Sequence, residues 1–348
     1  MSKVKIQGNA SGTGVVTLTA PNTNTDRTIT LPDGTGDIGI VTRATTAPTS
    51  PTAGDMWFDT TAGTTSMNVW SGTQWDTLSN LPFSATGGTE TTSGGYKYHT
   101  FTSSGSFTTS GDAGTVDYLI VAGGGGGGTD SFQNRASGGG GAGGYISKSA
   151  ITLTRGDTIS IIIGAGGVGG NHTLQGDNVY GWQGANTTLS GAVSETAIGG
   201  GGGQGHNSGG TDASTKDNGG SGGGTSNATS GVGTGVTGQG SQGYISTDSP
   251  SGTGGGNGET WSNGITYAGG GAASGSEDNW YGGGGGGKGS TQAAASTGGT
   301  GGGGNSSHAN TAFAGGNGAA NTGGGGGGSR ETTGASGGSG IVIIRYAV

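Results

Sequence analysis

Six consecutive glycines, Gly123 to Gly128, follow almost directly on the apolar run YLIV (118–121), and tracts of this kind recur down the chain. Among them are Gly138–Gly141, Gly199–Gly203, GGSGGG at 219–224, Gly254–Gly256, Gly269–Gly271, Gly282–Gly287, Gly301–Gly304 and Gly323–Gly328. Ordering a backbone residue costs about 1–2 kcal/mol, more for glycine, and a glycine tract has no side chain whose burial offsets that. A single tract is therefore unfolded by itself. Laid side by side as extended helices with three residues per turn, tracts can satisfy one another's N–H and C=O groups, at about 1 kcal/mol net per bond. Cα–H···O contacts add about 0.5–1 kcal/mol each. The tracts thus predict a polyglycine II helix bundle. Runs of pure glycine belong at its centre, and mixed tracts such as GAGGVGG (164–170) and GGGNG (254–258) at its edge with side chains outward. Collagen is excluded, because no strict Gly-X-Y period exists and Pro250 is the single proline between Gly164 and Gly340.

Glycine makes up 93 of 348 residues and only 27% are hydrophobic, so one large apolar core is out of reach. Apolar character concentrates instead in five strand candidates: Tyr96–Phe101, Val116–Val121, Tyr145–Leu153, Thr158–Ile163 and Ile341–Tyr346. The continuous runs YLIV, ISIII and IVII suit strands covered on both faces. The last candidate lies far downstream of the fourth, so the sheet brings together the two ends of a long glycine-rich insertion. The expected fold class is all-β: a small β-sandwich carrying a polyglycine II bundle, preceded by short β-stem modules, with no α-helix of note. The domains expected are a stem at 1–45, a proline linker and Trp-rich module at 46–82, a sandwich framework at 83–170 and 341–348, and the bundle with its loops at 171–340.

In the stem, VTLTAP (16–21) is echoed by RTITLP (27–32) across the turn-forming NTNTD, a pattern for two short strands. A hairpin this small is marginal alone in water, so the stem is expected to associate with copies of itself; a disordered leader is the alternative. The segment ATTAPTSPTA (44–53) reads as a linker. Three short strands follow at Met56–Phe58, Met67–Trp70 and Gln74–Asp76, and Trp57, Trp70 and Trp75 are expected to make a miniature core, with a sugar-stacking surface as the alternative.

Several functions are disfavoured. The net charge is −8 and the 12 Lys and Arg are scattered singly, so no basic stripe exists for nucleic acid. Cysteine is absent, which removes disulfides and thiolate ligands. No apolar run approaches the ~20 residues of a membrane span, and MSKVKIQGNASG lacks a signal-peptide core. His99, His172, His206 and His308 stand in no HExxH or HxH arrangement and read as surface residues, so neither a metal nor a cofactor is expected. GGGGGGKGS (282–290) is not a phosphate loop, since Lys288 precedes Gly289. No calcium nonapeptide is present. Glu277 and Asp278, with Glu259, could serve as glycosidase carboxylates, but adjacent loop acids are usually just solvated, and no catalytic residue is assigned.

YLIVAGGGGGG, ISIIIGAGG, ITYAGGGAA and the terminal GGSGIVIIRY resemble the glycine-rich distal domains of bacteriophage tail fibres and adhesins. GNASGTGVVTLTAPNTNTDRTITLPDGTG and GDMWFDTTAGTTSMNVWSGTQW resemble stem and connector segments of such fibres. The resemblance implies a homotrimeric virion fibre facing the extracellular medium. Its loops would recognise a host cell-surface glycan or outer-membrane protein, and its N-terminal segment would join other virion tail proteins. A non-viral or virion structural fibre without a receptor role, a polysaccharide depolymerase and an ice-binding protein stay open as alternatives; the last would need a flat Thr/Ala face, which the irregular loops do not suggest. Between Gly164 and Gly340 the aromatic residues are Tyr180, Trp182, Tyr244, Trp261, Tyr267, Trp280, Tyr281 and Phe313. Aromatic rings among Asn, Gln and Ser suit surface recognition. Tyr180, Trp182, Trp280 and Tyr281 come first as receptor-binding candidates, then Tyr244 and Trp261. Packing against the bundle's flank is the alternative, foremost for Trp261 and Tyr267.

Overall fold

The computed structural model describes residues 41–61, 65–78, 81–130, 137–173, 179–205, 217–224, 233–243, 258–268, 297–306, 314–330 and 332–348. The hairpin expected at 16–32 and the glycine tracts at 254–256, 269–271 and 282–287 lie outside the described residues. The chain divides into two units, Met1–Ser79 and Asn80–Val348.

In the first unit β1 (Val41–Ala44), β2 (Met56–Asp59), β3 (Ser66–Trp70) and β4 (Trp75–Thr77) form one sheet in that order, β1 parallel to β2 and the rest antiparallel. β1 comes from the end of the Thr-rich segment, and its Ala44 carbonyl accepts a bond from Trp57 Nε1 at 3.0 Å. The strand period of two sets Trp57, Trp70 and Trp75 on one face. The Trp75 ring meets Trp57 and Trp70 edge-on, at 5.7 and 5.5 Å. All three rings are half-buried, so the expected miniature core is an aromatic cluster on a partly open sheet.

The second unit contains β5 (Ser84–Thr86), β6 (Thr89–Ser93), β7 (Tyr96–Phe101), β8 (Gly105–Ser110), β9 (Gly114–Val121), β10 (Thr129–Asp130), β11 (Tyr145–Leu153), β12 (Thr158–Ile162), β13 (Thr187–Gly191), β14 (Glu195–Ala197), β15 (Glu259–Thr260), β16 (Thr266–Tyr267), β17 (Ser329–Arg330) and β18 (Ile341–Ala347). The fold is all-β, with no α-helix among the described residues. Two antiparallel five-stranded sheets, β11-β9-β18-β7-β6 and β14-β13-β12-β8-β5, face each other. Between them pack Phe101, Phe107, Tyr118, Ile120, Ile159, Ile161, Leu189, Val342 and Ile344. YLIV and IVII are buried throughout, as their continuous patterns require. β12 differs: Ile159 and Ile161 are buried while Ser160 and Ile162 face out, so this strand is covered on one side only.

His99 corrects a sequence expectation. It is fully buried in the sandwich core, stacked on Tyr346 and edge-on to Phe107, and its Nδ1 lies 2.7 Å from the Gly87 carbonyl. β7 alternates inward and outward, which places His99 beside Phe101 on the inner face.

The tracts prolong the strands. β9 leads into 123–128, β12 into 164–170 and β14 into 198–205, while 138–144, 181–185 and 334–340 lead into β11, β13 and β18. Within the sandwich, side chains hold the two layers apart, typically by ~10 Å. Where side chains stop, the layers close and bond directly. Gly123 and Gly126 donate to Ala185 and Trp182, Gly124 and Gly127 to Gly338 and Ala335, and Gly125 and Gly128 to Gly141 and Gly138. The carbonyls of Gly123 and Gly126 accept from Gly200 and Gly203, those of Gly124 and Gly127 from Gly167 and Gly170, and those of Gly125 and Gly128 from Gly326 and Ser329. Each direction recurs every third residue. Six segments therefore surround tract 123–128, and it lies buried at the centre. A Cβ on any of Gly124–Gly128 would be driven into a neighbouring carbonyl group, so side chains are excluded there. In 164–170 the two side chains, Ala165 and Val168, are spaced by three and exposed, as expected of an edge tract.

Candidate functional site

The outer face of the β11-β9-β18-β7-β6 sheet carries a second apolar layer. Leu119, Val121, Tyr145, Ile341 and Ile343 point away from the sandwich core and pack beneath Trp261, Tyr267 and Ala268. The cover is the β15–β16 hairpin. Its sequence WSNG (261–264) closes the turn, with Gly264 N–H bonded to the Trp261 carbonyl at 2.8 Å and Gly264 at φ +78, a left-handed conformation suited to glycine. Asn263 Oδ1 accepts from Ile265 N–H at 3.0 Å and its Nδ2 donates to the Tyr267 hydroxyl at 2.9 Å.

Beside the hairpin a charged pair is threaded through aromatic rings. Arg345 of β18 donates to Asp117 Oδ2 of β9 from Nε and Nη2, at 3.1 and 3.0 Å. Its guanidinium stands 4.2 Å from the Tyr96 ring centroid and 5.3 Å from that of Trp261, and Nη1 reaches the Tyr98 hydroxyl at 3.4 Å. The Trp261 ring meets Tyr98 edge-on at 6.4 Å, and its Nε1 donates to Ser147 Oγ at 3.1 Å. Burial pushes the Tyr145 hydroxyl up to about 12, helped by the Glu259 carboxylate, and burial also raises Tyr267.

Five strands span roughly 20 Å across, and a hairpin of two short strands covers only part of that width. The uncovered step over β6, β7 and β18 is a groove of about 390 Å³ lined by Thr91, Ser93, Tyr98, Thr100, Asn263, Ile265, Tyr267, Ile341 and Ile343.

A family model for a glycine-rich domain matches residues 100–347. The chain belongs to the glycine-rich domain family. No curated protein matches it. The matched span runs from the end of β7 to the end of β18, so the glycine-rich domain includes sandwich strands and tracts together, while β5 and β6 precede it.

Within the glycine-rich domain the sequence-derived candidates separate. Trp182 is half-exposed on the bundle's flank, where its backbone N–H is bonded to the Val168 carbonyl. Tyr180 and Trp261 are buried, at 4% and 5% exposure, which corrects their assignment to a receptor-facing surface; the Trp261 ring is taken up in packing against the sheet. Tyr267 is buried with Trp261. Tyr244, Trp280 and Tyr281 lie outside the described residues, as do Glu277, Asp278, His206 and His308. Glu259 sits on β15, and among the described residues no cluster of His, Asp and Glu could hold a metal ion. The groove residues Thr91, Tyr98, Thr100 and Asn263 were not singled out from the sequence. The period-two alternation of YKYHTF (96–101), which sets Tyr96, Tyr98 and Thr100 on one face, was the signal available.

Proposed function

We propose that this chain is a virion fibre protein, a bacteriophage tail fibre, whose glycine-rich domain presents segments to a receptor on the host-cell surface during adsorption. The observation that carries this reading is the bonding of tract 123–128 to six surrounding segments. Main-chain bonds hold such a scaffold whatever the sequence of the segments that join the tracts, so those segments can vary without unfolding it. The three-residue bonding period, together with the absence of positive φ within 123–128, favours polyglycine II helices. The joining segments are rich in Asn, Ser and Thr and carry Tyr244, Trp280 and Tyr281, and Trp182 stands half-exposed on the flank, a mixture suited to stacking and adaptable hydrogen bonding.

In this reading the receptor is a host glycan or outer-membrane protein, the N-terminal segment joins other virion tail proteins, and the stem makes a homotrimer. No enzymatic step is assigned. The test uses the labelled full-length chain on intact host cells. Exchanging 171–178 and 276–281, which leaves the bonded segment 181–185 and β13 in place, should redirect binding between strains; binding whose strain selectivity is untouched by both exchanges would sink the reading. Mass measurement in solution should return three copies, and a strict monomer would overturn the stem's role.

A further inference from the structure

We infer that the groove between the β15–β16 hairpin and strands β6, β7 and β18 is a binding site for a neutral saccharide. The inference rests on the reading of this chain as a surface-recognition protein, and it names a ligand class and a place. The volume, about 390 Å³, falls within the ~300–1,000 Å³ of small-molecule sites.

The lining has two characters. One side is apolar: Ile341 and Ile343 of β18 and Ile265 at the hairpin tip, the last 54% exposed. An exposed isoleucine beside buried ones is a surface that gains from being covered by a C–H face. The other side is hydroxyl and amide: Thr91 and Ser93 of β6, Thr100 of β7, and Asn263. No carboxylate, ammonium or guanidinium belongs to the lining, although Glu90, Lys97 and Arg345 are near in the same strands. Glu90 and Lys97 are paired with each other at 2.8 Å, and Arg345 is committed to Asp117. An acidic or basic ligand would therefore be desolvated without compensation. A pyranose has what this lining asks for: a C–H face to lie on Tyr98 and the exposed Ile265, and neutral hydroxyls toward Thr, Ser and Asn.

The ring is also held in advance. Tyr98 is fixed edge-on by Trp261 and through its hydroxyl by Arg345, and the hairpin tip is fixed by the bonds Asn263 makes to Ile265 and Tyr267. Little side-chain freedom is left to lose on binding.

The experiment presents the full-length protein with an array of neutral and acidic oligosaccharides, followed by titration with the best neutral probe read by tryptophan fluorescence and saturation-transfer NMR. At least one neutral saccharide should bind, with acidic analogues weaker by tenfold or more. Thr91→Phe, at an exposed position on β6, should obstruct the groove and weaken binding at least tenfold with an unchanged melting temperature. Thr100→Val, which removes a hydroxyl without changing shape, should weaken it several-fold. The inference is overturned if no neutral saccharide binds, if acidic probes bind as well or better, or if Thr91→Phe binds as the parent does. Cell binding with no saccharide binding would sink the groove and leave the fibre reading standing. Saccharide binding lost in Thr91→Phe, with no cell binding, would do the reverse.

Discussion

The Thr187 hydroxyl donates to the Val121 carbonyl across the two layers of the sandwich, at 2.9 Å and fully buried. The same oxygen accepts from Gly164 N–H at 2.9 Å. Thr187 opens β13, Val121 ends β9 and Gly164 follows β12, so one hydroxyl ties three strands at the level where side chains give way to glycine. Above it the layers interdigitate; below it they bond through the main chain.

Removing that hydroxyl should be costly, because both partners are buried. Thr187→Val keeps the shape, takes the acceptor from the buried Gly164 N–H, at about 1–3 kcal/mol, and removes one bond to the Val121 carbonyl, at about 1 kcal/mol. We expect a loss of about 2–4 kcal/mol in urea unfolding, and at most about 1 kcal/mol for Thr187→Ser. Equal losses in the two variants would show that the methyl and not the hydroxyl matters.

The centre of the bundle should reject a single methyl group. In Gly127→Ala the new Cβ would be forced against the Gly327 carbonyl. Backbone on every side has to shift, so destabilisation of at least about 3 kcal/mol, or failure to fold, is expected. Val168→Ala, at the exposed edge of the same bundle, should change stability by less than about 0.5 kcal/mol. Circular dichroism and thermal melts of the two variants compare centre with edge directly.

Two tryptophans separate packing from display. Trp261→Ala removes a buried ring from the outer layer and should cost about 3–5 kcal/mol. Trp182→Ala, at half exposure, should cost about 1 kcal/mol or less and act chiefly on cell binding. A Trp182→Ala variant with full cell binding would remove that residue from the recognition surface.

Alkaline pH should weaken the fold through its tyrosines. Burial raises Tyr118, Tyr145 and Tyr267, with Tyr145 at about 12. Unfolded tyrosine ionises near pH ~10. Below that value both states hold the proton and stability is complete. As pH rises from about 10 toward 12 the unfolded chain releases protons that the folded chain retains, so stability falls. Urea midpoints at pH 8, 10 and 11.5 should decline over the upper interval, and Tyr145→Phe should reduce the slope. A flat profile would contradict the burial of these hydroxyls.

Much of the architecture was legible before any coordinates. The runs at 96–101, 116–121, 145–153, 158–163 and 341–346 all become strands, because apolar β-rich runs between turn residues leave a chain few other options. The demand that ordered glycine tracts find one another also follows from composition, since once out of water a tract has only neighbouring main chain to satisfy its backbone. β13 and β14 escaped notice: TTLSG and ETA carry little apolar signal, and they are strands because β12 offers an edge to β13 and β13 offers one to β14.

Where side chains end up was the part that tertiary structure decided. Aromatic residues among polar neighbours look alike in sequence whether displayed or packed, and periodicity cannot separate Trp182 on the flank from Trp261, which the hairpin buries against the sheet. Nor could the sequence say that β6, more than two hundred residues before β18 along the chain, forms the other wall of the groove. Local chemistry determined that this chain would be strands and cross-bonded glycine; the pairing of distant segments, set by which edges remain open once the sheets form, decided where a ligand could rest.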